Sequence, residues 1–153
     1  MSTSRAWAFV LSLLCFFTSA VSGVPENSNQ KLQSSYELMS AENKAMQDDA
    51  SLNPAMFWVG DGETLWNKLS EQNGKSCANC HGEAKKSMRG VAAVFPKMIK
   101  GKLQTLEGQI NQCRTQAQAT TPLAYESKDL LSLTAYVAYQ SKGLPIAVRE
   151  TPE

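Results

Sequence analysis

The 153-residue sequence predicts an all-α fold. In residues 103–116 and 127–142, apolar side chains recur every three or four positions, which is the spacing of one helix face. A further helical turn is expected around Cys77, Cys80 and His81, whose spacing suits a short helix, and no strand pattern precedes them. These observations indicate a helical domain that follows an N-terminal export segment.

Residues 1–23 are predicted to be a cleaved signal peptide. Arg5 supplies the positive charge, and residues 6–17 form an apolar run of about twelve residues, too short to span a bilayer. Small residues follow and provide the cleavage site, so Cys15 leaves with the signal. An uncleaved membrane anchor is the alternative. The remaining chain of about 130 residues suits one domain, with no second apolar run long enough to cross a membrane.

Three segments are expected after the signal. Residues 24–52 are a polar lead-in with a possible helix over 34–49, residues 53–146 are the main domain, and residues 147–153 are a tail. The main domain begins at an Asn-Pro turn, which is typical of a boundary between elements.

An apolar and aromatic stretch, residues 55–59, opens the main domain. The glycines in Gly60-Asp61-Gly62 are expected to break it, so the next helix is predicted from Glu63 to Glu71. Trp66 in this helix and Tyr136 in the last helix are expected to meet where the two helices cross.

The strongest chemical signal is Cys77-Ala78-Asn79-Cys80-His81, the pattern that attaches a c-type haem. Two thiols three positions apart can each bond one vinyl group of the porphyrin. His81 is then placed to give its imidazole nitrogen to the iron. Because His81 is the only histidine of the chain, we expect one covalent haem c in a cytochrome c-like single haem domain.

Other interpretations of this motif have less support. A four-ligand zinc site built on Cys77 and Cys80 would need another Cys or His pair, and after signal cleavage Cys113 is the one remaining cysteine. A thioredoxin-like dithiol belongs in a strand–helix–strand setting, which this segment lacks. Two buried free cysteines beside a surface histidine are the remaining alternative.

The second half of the chain continues the helical pattern. Gly82 is expected to end the short helix in a left-handed conformation. Residues 83–102 are predicted to be mostly loop, because a proline interrupts their apolar centre. Helices are predicted over 103–116 and 127–142, and Ser127 is the expected N-cap of the last one.

The second axial position of the iron has four candidate ligands: Met56, Met88, Met98 and Cys113. Met88 and Met98 lie 7 and 17 residues after His81, a short path around the porphyrin edge. Cys113 lies on the apolar stripe of its predicted helix, so Cys113 is the expected ligand, with Met88 and Met98 as runners-up. A buried free thiol and an interchain disulfide are alternatives for Cys113. Arg114 either stabilises an anionic sulfur or faces solvent.

Charge is balanced overall but uneven along the chain. Without Arg5, 14 basic residues stand against 14 acidic ones, which gives no support for nucleic-acid binding. Between residues 82 and 114, seven basic residues outnumber two acidic ones, whereas residues 24–72 are acidic. The functional interpretation is a basic rim that steers an acidic partner, and ordinary solvated surface is the alternative.

Several of these motifs, in this order, resemble the SoxA family, the larger cytochrome subunit of SoxAX. They span about Glu42 to Pro145, most of the mature chain. They are Asn53-Pro54 with Trp58, Gly62-Glu63-x-Leu65-Trp66, Ser76-Cys77-Ala78-x-Cys80-His81-Gly82, Ser87-Met88-x-Gly90-Val91-Ala92-Ala93, Ile110-Asn111-x-Cys113-Arg114, Glu126-Ser127 and Ala135-Tyr136-Val137-Ala138-x-Gln140-Ser141-x-Gly143.

This resemblance implies a periplasmic protein that forms a heterodimer with a SoxX-like small cytochrome. In that family SoxAX, an L-cysteine S-thiosulfotransferase, joins thiosulfate oxidatively to a cysteine of a carrier protein and passes two electrons to cytochromes. The thiosulfate carrier protein and an electron-accepting cytochrome are therefore implied partners. The family's cysteine ligand, in its Ile-Asn-x-Cys-Arg motif, corresponds to Cys113.

The likeness is to the N-terminal haem domain of a two-domain family. The second haem domain, taken to be the site of sulfur chemistry, has no counterpart before Glu153, so the chain is expected to be a fragment or a one-haem version without independent catalysis. The expected role is an electron-transfer or structural haem module. A free-standing mono-haem electron carrier without sulfur chemistry, and a haem-thiolate sensor that uses Cys113, are the alternatives.

Overall fold

The structure is a computed structural model that describes residues 34–149. The predicted signal peptide, 1–23, and the first part of the predicted lead-in lie outside the described residues. Within the described part, the elements are α1 (Ala41–Asp48), α2 (Ala55–Asn67), α3 (Cys77–His81), α4 (Ala84–Ser87), β1 (Lys97–Ile99), β2 (Lys102–Gln104), α5 (Leu106–Ala117) and α6 (Lys128–Tyr139). The all-α prediction is confirmed, with one small hairpin added.

The helix predicted over 34–49 is divided in two. A 3-10 turn, Ser35–Leu38, precedes α1. Ser40 separates them, because its side chain accepts a hydrogen bond from the Asn43 backbone N–H and so caps α1. No side chain of α1 is fully buried, so this helix lies on the surface.

Helix α2 runs without interruption through residues 60–62, so the predicted break is wrong. Packing against α6 explains this, because a Cβ on Gly62 would overlap the Ser132 carbonyl oxygen and lie 2.6 Å from Tyr136 Cβ. Glycine is therefore the residue that lets the two helices touch. Helix α2 also ends at Asn67, four residues before the predicted end.

Trp66 and Tyr136 meet at this crossing, as predicted, with ring centroids 5.9 Å apart. They belong to a buried cluster whose other members are Val59, Ala84, Leu106, Leu133 and Val137. Burying each large apolar side chain contributes about 1.5–3 kcal/mol, so this cluster helps to hold α4 and α5 against the crossing.

Helix α3 carries the Cys-x-x-Cys-His sequence, as predicted. The Ser76 hydroxyl accepts a hydrogen bond from the Asn79 N–H, and the Asn79 side chain accepts one from the Ser76 N–H. This reciprocal capping box starts the helix. Gly82 ends it with φ +68° and ψ −144°, a positive φ as predicted, although ψ lies outside the left-handed helical region.

Residues 83–102 are more regular than the predicted loop. They contain α4, a 3-10 turn at Ala92–Val94, and β1. Strand β1 pairs with β2 in antiparallel fashion, with Met98 opposite Leu103. The turn between them places Lys100 and Gly101 at φ +50° and +74°, the positive values that a two-residue hairpin loop requires.

The hairpin displaces the start of the next helix. Leu103 lies in β2 and is 65% exposed, so its predicted place on a helical stripe is wrong. Helix α5 begins at Leu106, where the Thr105 side chain caps it by accepting a hydrogen bond from the Gly108 N–H.

Helix α6 begins as predicted, since the Ser127 hydroxyl accepts a hydrogen bond from the Leu130 N–H. It ends at Tyr139, three residues before the predicted Lys142. Among residues 34–149, no helix has the length and apolar character needed to traverse a bilayer.

Candidate functional site

A cavity of about 260 Å³ with mostly apolar walls lies between α3 and α5. Its floor is formed by the α2–α6 crossing. The lining side chains are Trp66, Ser76, Cys77, Cys80, His81, Met88, Val91, Phe95, Lys97, Leu106, Gln109, Ile110, Cys113, Arg114, Ala117, Gln118, Leu133 and Val137. The cavity therefore brings residues from both halves of the main domain to one place.

Helix α3 forms one wall and presents Cys77, Cys80 and His81 to the cavity. Trp66 anchors the end of this helix, because its Nε1–H donates a hydrogen bond to the Gly82 carbonyl oxygen at 3.0 Å. The Trp66 ring also lies 5.7 Å, centroid to centroid, from the His81 ring. The position of the imidazole is thus tied to the buried core.

Helix α5 forms the opposing wall and contributes Cys113. The Gln109 side chain, one helical turn earlier, donates a hydrogen bond to Cys113 Sγ at 3.5 Å. Asn111 fixes the helix to the following loop, since its side chain donates to the Leu123 carbonyl at 3.0 Å and accepts from the Leu123 N–H at 2.8 Å. These bonds hold the sulfur-bearing turn of α5 in place.

Cys77, the first residue of α3, is partly buried and has polar neighbours. Burial raises the pKa of the Cys77 thiol above its ordinary value, while the nearby Arg114 guanidinium and a hydrogen bond from Gln118 Nε2 at 3.7 Å act in the opposite direction. The unmodified side chain is consequently a neutral thiol at pH 7. Gln118 is only 5% exposed, so its side-chain amide lies within this wall of the cavity and not in solvent.

Arg114 carries the least satisfied polar group of the cavity wall. Its Nε atom is buried and has no hydrogen-bond partner among residues 34–149. An unpaired buried donor costs roughly 1–3 kcal/mol, and more when the group is charged. An anionic group held in the cavity would relieve this cost.

The residues around the cavity fit a covalent haem c. Two thiols and one imidazole can provide two thioether bonds and one iron ligand, and the apolar walls suit a porphyrin. The unpaired guanidinium nitrogen suits an anionic sulfur or carboxylate. Within residues 34–149, no three His, Cys, Asp or Glu side chains are grouped to hold a metal ion directly, so the zinc interpretation gains no support.

The four candidates for the second axial ligand are divided between three places. Cys113 and Met88 line the cavity together with His81. Met98 lies on β1 and lines a separate groove, and Met56 packs against the buried core. The cavity thus offers one thiol on α5 and one thioether next to α4.

Sequence reasoning missed two glutamines that hydrogen-bond to the sulfur atoms of the cavity. Gln109 stands four positions before Cys113, so the i, i+4 rule for helices was a usable signal for this contact. Gln118 and Cys77 are 41 residues apart, and no local pattern links them. Cys77, Cys80 and Cys113 all remain outside any disulfide within the described range.

An all-α fold built on two crossing helices, with a Cys-x-x-Cys-His turn facing an apolar cavity, defines a c-type cytochrome domain. Residues 61–146 match the family model described as SoxA/TsdA, cytochrome c domain. The chain belongs to this family, which confirms the resemblance that its motifs carry.

Named relatives agree with the family model. The chain is similar to the L-cysteine S-thiosulfotransferase subunit SoxA of Rhodovulum sulfidophilum, with 31% identity over 120 residues, which are 77% of this chain and 42% of the relative. The corresponding SoxA subunit of Pseudaminobacter salicylatoxidans is 34% identical over 108 residues, which are 69% of this chain and 38% of the relative. The chain therefore spans less than half the length of these curated relatives.

A solved structure supports the same fold. The crystal structure of SoxXA from P. pantotrophus matches this chain with a TM-score of 0.69 at 28% identity. The match covers 78% of this chain and 46% of that chain, again a partial coverage of the larger protein.

Proposed function

We propose that this chain is an exported, periplasmic haem module of a SoxA-type L-cysteine S-thiosulfotransferase, and that its task is electron transfer. One observation carries the proposal. The sulfur atoms and imidazole of α3 and the sulfur of Cys113 on α5 line the same apolar cavity. The names of the SoxA relatives supply the reaction system.

The proposal gives specific roles to the cysteines and the histidine of the cavity. Cys77 and Cys80 would hold one haem c through thioether bonds, and His81 and Cys113 would bind its iron. When bound, the haem supplies reversible one-electron storage, with a potential set by its ligands and surroundings. Met88 is the runner-up to Cys113, and Met98 is a weaker candidate because it lies outside the cavity lining.

The residues around the cavity favour a cysteine thiolate over a methionine thioether as the second ligand of the iron. Arg114 follows Cys113 and brings an unpaired cationic group into the same wall, which compensates the charge of an anionic sulfur. Gln109 adds a hydrogen bond to that sulfur. Met88 lines the cavity without either kind of support in the described structure.

The expected partners follow from the system to which the relatives belong. The matching crystal structure is that of SoxXA, which supports a SoxX-like small cytochrome as the heterodimer partner. A thiosulfate carrier protein and an electron-accepting cytochrome complete the set. In this proposal the chain moves electrons and leaves the joining of thiosulfate to cysteine to another site, because its own cavity side chains are used to hold the haem.

The test is production of the full chain in a periplasm equipped for cytochrome c maturation. We expect one haem per chain that acid-acetone does not extract. Cys113→Ala should abolish the low-spin thiolate absorption spectrum while the covalent haem stays, and the matched variant Met88→Leu should leave that spectrum unchanged.

Other results would contradict the ligand assignment or the proposal as a whole. If Met88→Leu alters the spectrum and Cys113→Ala does not, the assignment of the second ligand is wrong. Colourless protein, or porphyrin that acid-acetone removes, would overturn the whole proposal. Co-purification with a small second cytochrome would support the heterodimer, and a lone monomer with rapid electron exchange would favour the free-standing carrier.

A further inference from the structure

A basic groove lies beside the haem cavity and is not used by the site described above. It has a volume of about 430 Å³ and is lined by Val94, Lys97, Met98, Ile99, Lys100, Ala147 and Arg149. Lys97 also lines the cavity itself. The groove, together with Lys102 on β2, is called the hairpin surface below.

We propose that the hairpin surface docks an acidic electron-transfer protein. This inference rests on the proposed function, since the docked protein exchanges electrons with a haem in the cavity. It adds the location of the contact and the chemistry of the partner.

The charges of the hairpin surface support a partner of opposite sign. Lys97, Lys100 and Lys102 lie within six positions of one another, and within residues 34–149 none of them has a carboxylate within salt-bridge distance. By contrast, Lys128 pairs with Asp61 at 2.8 Å on another face. Unpaired lysines on one face attract acidic surfaces and raise association rates about 10- to 1000-fold at low salt.

Lys97 links the hairpin surface to the cavity. Its Nζ lies 4.7 Å from the centroid of the Phe95 ring, and this ring lines the cavity. A partner that contacts the Lys97 ammonium is therefore one aromatic ring away from the haem pocket. The path for an electron between the two proteins is short for this reason.

Exposed apolar side chains on the same surface favour a protein over a small anion. Ile99 and Val94 both line the groove, and they are 39% and 37% exposed. Protein interfaces combine an apolar centre with a polar rim, and Ile99 stands directly opposite Lys102 in the hairpin register. A small anion would gain nothing from these apolar groups.

The backbone holds the hairpin surface in its shape before any partner arrives. Strand pairing fixes β1 against β2, and the Ala147 N–H donates a hydrogen bond to the Ala93 carbonyl oxygen at 2.8 Å. The C-terminal side of the groove is thereby fastened to the 3-10 turn that precedes β1. A preformed surface loses little conformational entropy on binding.

The experiment uses the full chain with its covalent haem, reduced beforehand, and acidic plastocyanin as the protein probe. Stopped-flow absorbance gives the second-order rate of haem oxidation. The variant K97Q/K100Q/K102Q should react at least about tenfold more slowly at low ionic strength and lose most of its salt dependence. The double variant K100Q/K102Q, which leaves the cavity lining intact, should be intermediate.

The matched control is K44Q/K68Q/K75Q, which removes the same charge elsewhere. It should stay within about threefold of the unmodified protein, because only the overall charge has changed. The uncharged oxidant benzoquinone should react equally fast with every variant, which shows that the haem itself is unaffected.

The outcomes separate the two proposals. If both triple variants slow the reaction equally, or neither does, the hairpin surface is not the docking site although the haem module stands. If no visible absorbance change accompanies oxidation, the proposed function has failed, and the docking proposal fails with it.

Discussion

The α2–α6 crossing and the adjacent cavity between α3 and α5 differ in how completely their side chains are buried. At the crossing, Leu130 and Leu133 are 1% exposed and Ser132 is fully buried. Along the cavity, Cys113 is half-buried and His81 is exposed. The crossing is closed by the chain's own side chains, whereas the cavity keeps room for something else.

Unpaired polar atoms show the same contrast. Ser132 Oγ and Arg114 Nε both lack a partner among the described residues. The serine hydroxyl is neutral and enclosed between two helices, so no bound group can reach it. The Arg114 guanidinium is charged and borders the cavity, so a bound cofactor or its ligand could accept a hydrogen bond from the unpaired Nε–H. The crossing therefore determines stability, and the cavity determines chemistry.

The largest effect that tests this division is expected at Gly62. Gly62→Ala places a methyl group into the Ser132 carbonyl, and it should lower the free energy of unfolding by about 3 kcal/mol or more through overpacking. Denaturant unfolding of the haem-loaded protein, followed by circular dichroism, measures this.

Gly60 provides the matched control for Gly62. It lies in the same helix, and a methyl group added there would meet no other atom within 4 Å. Gly60→Ala should therefore leave stability unchanged or raise it by up to about 1 kcal/mol. Equal destabilisation by both substitutions would show that the crossing is not closely packed.

A smaller effect is expected at Trp66, which belongs to both regions. Trp66→Phe keeps an aromatic ring in the core but removes the Nε1–H donor to the Gly82 carbonyl, and about 1–3 kcal/mol of stability should be lost. Trp58→Phe, on an indole that is 40% exposed, should cost less than about 0.5 kcal/mol. Similar losses at the two positions would mean that Trp66 does not connect α3 to the core.

The smallest change in stability is expected at Arg114, where the redox readout should respond instead. Arg114→Gln should change the free energy of unfolding by less than about 1 kcal/mol. It should lower the reduction potential of the haem, because loss of a nearby positive charge favours the oxidised iron. Redox titration measures the shift, and Arg114→Lys should restore most of it. A potential unchanged in Arg114→Gln would place this side chain outside the electrostatic influence of the iron.

Local rules were enough for the elements whose ends are made by neighbouring residues. The start of α3 follows from Ser76 and Asn79, and the start of α6 follows from Ser127. In both cases the cap and the first turn contain all the atoms that determine the boundary. The Cys-x-x-Cys-His motif likewise requires no distant residue to be recognised.

Local sequence rules gave wrong predictions where tertiary contacts determine the secondary structure. Gly62 has a low helix propensity, but contact with α6 outweighs that cost. Leu103 matches a helical stripe in sequence, yet the Lys100–Gly101 turn assigns it to a strand. The pairing of Gln118 with Cys77 joins two segments that no periodicity connects.

The indole of Trp66 has a further, optical consequence. Two tryptophans lie in the described residues, Trp58 and Trp66, and only Trp66 is buried, at 5% exposure beside His81. A porphyrin held in the proposed haem cavity, which Trp66 lines, would accept the excitation energy of this indole before it fluoresced. Loss of Trp66 fluorescence would therefore report haem loading.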